Sequence, residues 1–331
     1  MLTKKSFYLE LALVCALLLL ILTARTAMTF IYGGASAAKD DAADKTRDEA
    51  KAATKTEASG KAASGAEEKE AGREAPGEPG PEAAGEGLDS AAELNNRLKT
   101  EVEWSFGGKA QRGWQIYTPL IQHLIGTDGE EGSREFAVAL SRWERSVGLK
   151  PDGVLDRETL MKMVSTWQGR RLMSSASPPE DQLLTVSAAE FWDTSRPEEL
   201  RKVERNAYAA YRRMIAAAVA DPSSGLKGTS AGELAPAEKY LKIVSAFRSR
   251  AYQEQLRRAS PGSGRAGLAV NSPHFTGRAL DLYVGGDPVS TADSNRMVQT
   301  RTRIYPWLVR NAERFGFIPY FYEPWHWEYR G

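Results

Sequence analysis

The sequence predicts an α+β chain in which a small all-α module precedes a domain of helices and short strands in mixed order. Three observations carry this reading. An apolar run near the start is long enough to cross a bilayer. The stretch after it has almost no large apolar residue. Beyond that, apolar positions recur first at helical spacing and then alternate as strands do.

Lys4 and Lys5 precede the apolar stretch Phe7 to Ala24, interrupted only by Glu10. Its length is close to the roughly 20 residues a helix needs to span hydrocarbon. Positive charge before it predicts a cytoplasmic N-terminus and export of the rest of the chain. Residues 1–35 are therefore assigned to a single-pass anchor in the inner (cytoplasmic) membrane. Ala35-Ser36-Ala37 offers the rival reading of a cleaved signal, although it lies well past the apolar core. Residues 36–89 are rich in Ala, Glu, Lys, Gly and Pro and cannot bury enough surface to offset ordering, so they predict a disordered tether.

Residues 90–172 predict the helical module. Ser90-Ala91-Ala92-Glu93 has the form of a capping box. Phe136, Leu140, Trp143 and Val147 line one helix face, which Gly148 ends. Asp156 caps a further helix carrying Leu160, Met163, Val164 and Trp167. The run Gly148 to Leu155 with Thr159-Leu160 resembles the helical peptidoglycan-binding domain of wall enzymes. That resemblance implies a wall-binding module; simple packing against the next domain is the alternative.

A Ser/Pro linker at Ser174–Asp181 leads to the last domain, residues 185–331. Ser195 to Glu198 predicts the start of a long Ala-rich helix ending near Ala220. Lys242–Phe247 and Ala279–Val284 are strand candidates, Tyr305–Phe315 a helix stopped by Gly316, and Phe317–Tyr322 extended chain.

Charge and rare residues narrow the chemistry. Lys+Arg 44 against Asp+Glu 43 gives no basic excess, so no nucleic-acid partner is expected. The one cysteine, Cys15, lies in the apolar run, which excludes thiolate metal sites from the rest of the chain. Of the histidines, His123 stands alone, whereas His274 and His326 sit in motif-like surroundings. With Asp281 and Glu323 they make a plausible catalytic metal site, with three protein ligands and one position left for water. Gly277 allows a turn between His274 and Asp281. Glu323 and His326 are three apart and would face opposite sides of an ideal strand, but Pro324 permits a local turn.

Three segments, Ser245-Ala246-Phe247-Arg248-Ser249 with Tyr252-Gln253, Ser272 to Asp281, and Glu323-Pro324-Trp325-His326, resemble the D-Ala-D-Ala carboxypeptidases of the vancomycin-resistance type among the LAS zinc metallopeptidases. The shared pattern is Ser-x-His, an Asp after six intervening residues, and a late Glu-x-x-His. The resemblance implies Zn²⁺ on His274, Asp281 and His326, Glu323 as general base and then acid, and Arg248 beside the substrate's terminal carboxylate or reacting carbonyl. It also implies substrate contacts at Ser272 and Gln253. Pro273 departs from the family's usual Ser-Glu-His. The expected activity is removal of terminal D-alanine from peptidoglycan stem peptides by an exported domain. An endopeptidase with the same site, and an inactive zinc-stabilised scaffold, are the competing readings.

Overall fold

The computed structural model describes residues 81–260 and 269–331. The anchor segment and most of the tether lie outside these residues. Among the described residues no helix is long and apolar enough to cross a membrane.

Helix α1 (Pro81–Glu101) begins well before Ser90, so the end of the tether expected from the sequence is helical and the Ser90 capping box is interior to α1. Tertiary contacts explain the extension. Leu88 packs with buried Ala91, Ala92 and Ala137, and Asp89 accepts from Arg134 at 2.7 Å. Next comes a hairpin that departs from the all-α expectation, β1 (Glu103–Phe106) and β2 (Lys109–Arg112). Its turn is Gly107-Gly108, both at positive φ, which only glycine adopts freely. Helices α2 (Thr118–Ile125), α3 (Arg134–Ser146) and α4 (Arg157–Gly169) complete this part. Asp156 caps α4 as expected, accepting from Thr159 N at 2.9 Å.

The remaining elements are β3 (Leu183–Thr185), β4 (Lys202–Glu204), α5 (Arg205–Ala220), β5 (Ile243–Ser245), α6 (Arg250–Ala259), β6 (Ala279–Leu282), α7 (Asp293–Thr300), α8 (Ile304–Asn311), β7 (Phe317–Pro319) and β8 (His326–Tyr329). Ser195 does not open a helix. Its hydroxyl bonds to Asp193, and residues 202–204 pair with β3 instead. Glu204 caps α5 in its place, its carboxylate accepting from Ala207 N at 2.9 Å. The central sheet is antiparallel with order β5-β6-β8-β7, and Asp281 on β6 stands directly opposite His326 on β8.

One hydrophobic cluster runs from Trp104, Trp114 and Leu140 through Tyr211 and Leu280 to Trp327. Phe321, in the β7–β8 connection, is ringed by Trp104, Phe106, Tyr117 and Trp167, and Trp167 stacks on it at 5.7 Å. Buried Arg296 on α7 ties the same region together. It donates to Tyr117 Oη (2.9 Å), Gln111 Oε1 (3.1 Å), Asp293 (2.7 Å) and the Tyr322 carbonyl (3.2 Å). The segment bearing Glu323 is thus held from both sides of the linker.

Candidate metal centre

His274 lies in a 3₁₀ turn, Pro273–Thr276, whose first N–H groups are met by Ser272; its hydroxyl accepts from His274 N at 3.3 Å. Gly277 ends the turn at φ +67, and a Cβ there would lie 2.9 Å from Leu183 Cδ2 and 3.0 Å from Glu204 N. Conformation and close approach both demand glycine. The chain then enters β6, where Leu280 and Leu282 are fully buried in the core and Asp281 points to the opposite face. At the start of the neighbouring strand β8, His326 N bonds to Glu323 O at 2.9 Å, closing a turn around Pro324. That turn resolves the three-residue spacing: Glu323 and His326 are not on one straight strand.

His274, Asp281 and His326 are thereby gathered as a buried group that could hold a metal ion. His274 Nε2, Asp281 Oδ1 and His326 Nδ1 stand 3.2, 3.2 and 2.9 Å apart. Ligands about 2.0–2.1 Å from a tetrahedral ion lie about 3.3 Å from one another, so the triangle has the size a small divalent ion requires. The outer nitrogens fit as well. His274 Nδ1 is 2.6 Å from the Ala246 carbonyl and His326 Nε2 is 3.2 Å from Glu328 Oε1. Each acceptor takes the outer N–H and leaves the inner nitrogen's lone pair aimed at the centre.

Electrostatics follow from burial and these partners. Burial, with Arg248 behind it, holds the His274 imidazole down at about 4. Burial would also lower His326, but the hydrogen bonds and charges of Asp281 and Glu328 prevail and draw it up to about 9. A metal entering there would displace its proton. Burial opposes ionisation of Asp281, yet His274 and Arg248 hold its carboxyl well below the usual range. Glu328 behaves alike: burial is outweighed by His326 and Arg171, leaving it at about 2. Glu323 is the exception. Burial pushes it up to about 8, Asp281 adds to the rise, and His326, Arg248 and Arg171 oppose it.

Arg248 reaches the centre through Asp281 Oδ2, with Nε on Ser245 Oγ at 2.9 Å and Nη1 on Gln253 Oε1 at 3.4 Å. Gln253 also donates to the Ala269 carbonyl at 3.0 Å, so it orients Arg248. Ser272 serves as the turn's cap. His123 is exposed on α2. Three residues near the centre escaped the sequence reading. Glu328 shares the face of β8 with His326, a period-two signal present in the sequence. Arg171, which pairs with Glu328, gave no signal, being 157 residues away in sequence. Arg196, partly buried and lowered first by that burial, feels the charges of Arg248 and Asp281.

Residues 200–331 match the family model of VanY, D-alanyl-D-alanine carboxypeptidase. No curated protein matches the chain. The matched span contains β5, β6 and β8 and every candidate ligand, and with the geometry above it identifies residues 200–331 as a peptidase domain of the VanY D-alanyl-D-alanine carboxypeptidase family.

Proposed function

We propose that the chain is a zinc-dependent D-alanyl-D-alanine carboxypeptidase acting on peptidoglycan stem peptides. The observation that carries this reading is the triangle of His274 Nε2, Asp281 Oδ1 and His326 Nδ1, with buried Glu323 on the adjoining turn. Two imidazoles and one carboxylate are a donor set suited to catalytic zinc. Bound there, Zn²⁺ supplies Lewis acidity, polarising a carbonyl and bringing the pKa of a water to around 7.

The protein's own groups do the rest. Burial raises the Glu323 carboxyl in the empty site, and the charge of a bound dication would oppose that rise and favour the carboxylate needed to accept a proton. Glu323 takes a proton from the attacking water and delivers it to the departing amine of D-alanine as the peptide C–N bond breaks. Arg248 uses one N–H of each nitrogen on Ser245, Gln253 and Asp281, so donors on both terminal nitrogens remain for a substrate carboxylate or carbonyl oxygen. The free donors of Arg248 suit a substrate ending in a carboxylate, which favours removal of a terminal residue over the interior bond an endopeptidase would cut. Anchoring through Phe7–Ala24, export of the catalytic domain and wall binding by the helical module are proposed on the sequence alone. Membrane fractionation and sedimentation with insoluble peptidoglycan test them.

The central test is digestion of purified muropeptides followed by mass spectrometry, on the parent and on Glu323→Ala. Loss of one alanine by the parent is expected, whereas separation of cross-linked dimers would favour the endopeptidase. Glu323→Ala should keep near-stoichiometric zinc and lose about 10²–10⁴-fold in rate. Cleavage at the parent rate would remove Glu323 from the mechanism. A zinc-loaded parent that cleaves nothing would make the chain a scaffold.

A further inference from the structure

The matched family domain begins at residue 200, yet the hydrogen-bond chain behind His326 ends outside it. His326 can present the Nδ1 lone pair only as the tautomer protonated at Nε2, and Glu328 Oε1, 3.2 Å away, accepts that proton. Glu328 is fully buried, so its charge needs compensation inside the fold. The compensation comes from the segment just after α4. Arg171 Nε donates to Glu328 Oε1 at 2.9 Å, its Nη2 bonds to the same oxygen, and Leu172 N donates to Oε2 at 2.6 Å.

Arg171 touches a second neighbour of His326. Its guanidinium lies 3.8 Å above the Tyr320 ring, and Tyr320 meets the His326 imidazole edge-on at 5.8 Å. The segment is itself pinned to the peptidase domain. Trp167 stacks on Phe321, Arg170 pairs with Glu313, and Arg330 donates to the Arg170 carbonyl at 2.8 Å. We propose that Arg171 is a positioning residue for the metal centre, contributed from outside the family domain and acting on His326 through Glu328 and Tyr320. This rests on His326 being a metal ligand. The helical module and the peptidase domain are therefore one working unit at the level of the metal site.

Zinc affinity of the purified full-length protein, read by competition with a chromophoric chelator, tests the proposal without recourse to activity. Arg171→Ala should weaken zinc binding by about 10–100-fold, the usual cost of losing a partner behind a ligating histidine. Arg171→Lys, which keeps the charge but not the two-nitrogen grip, should fall between that variant and the parent. Glu328→Gln should weaken binding to a similar degree, and adding Arg171→Ala to it should cost little more, because both act along one path. Arg170→Ala, from the same segment but outside the chain of hydrogen bonds, should bind zinc as the parent does. Should Arg171→Ala fail to fold, Arg171→Lys and Glu328→Gln decide the matter. A zinc-loaded parent whose Arg171→Ala, Arg171→Lys and Glu328→Gln forms keep its affinity would overturn the positioning role alone. A parent that takes up no zinc would overturn the metal reading and this proposal with it.

Discussion

Glu144, fully buried on α3, offers a quantitative test of how the helical module is held together. Its carboxylate accepts from Gly153 N at 2.8 Å and from Thr159 Oγ1 at 3.3 Å, yet burial, helped by Asp152 and Asp156, pushes it from 4.5 up to about 7. Between those values the folded protein keeps a proton that the unfolded chain has lost. Folding then takes up a proton, so stability falls as pH rises through this window. The gap from 4.5 to about 7, at about 1.4 kcal/mol per unit, amounts to about 3 kcal/mol. Glu144→Gln removes the titration while keeping an acceptor for Gly153. Urea unfolding followed by tryptophan fluorescence, with zinc saturating, should show the variant gaining about 2–3 kcal/mol on the parent between pH 5 and pH 8. At about 2–4 °C per kcal/mol, the same gain is visible in thermal melts. A constant difference between the two proteins at both pH values would refute the reasoning, because a carboxyl ionised throughout leaves nothing to titrate.

Two more outcomes concern packing. Trp167→Ala removes the ring stacked on Phe321 and should cost about 3–5 kcal/mol. Because one cluster spans both parts, it should lower the melting of the whole described unit in calorimetry; an unchanged peptidase transition would contradict this. Gly277→Ala places a Cβ against Glu204 N and Leu183 at a φ of +67, costing at least about 1–3 kcal/mol and moving His274 off the centre. Its zinc content by elemental analysis should drop, and full zinc occupancy at the parent's melting temperature would show that the turn is not needed.

Much of the centre is legible in the sequence because its parts are short and local. The run from Ser272 to Asp281 contains its own cap, its own glycine and an alternating strand, so His274 and Asp281 converge with little help from elsewhere. Pro324 likewise marks the turn that brings Glu323 beside His326. Helix starts are less legible, because a capping sequence competes with tertiary contacts. Ser90 loses to the packing of Leu88 and the Asp89–Arg134 pair, and Ser195 loses to Asp193 and the β3–β4 pairing. The hairpin turn at Gly107-Gly108 does carry a local signal, two adjacent glycines between short alternating runs. The Arg171–Glu328 pair carries none on the arginine side, since it joins residues brought together only by the finished fold.

The socket around Phe321 bears on how portable the catalytic unit is. A chimaera cut at the family boundary would keep the loop that carries Phe321 but discard Trp104, Phe106, Tyr117 and Trp167, the rings that cover it. Tyr320, Phe321 and Tyr322 would then form one contiguous aromatic patch facing solvent, of the kind that drives self-association. The smallest fragment worth transplanting is therefore set by where the rings meet, upstream of β1, rather than by where the family likeness begins.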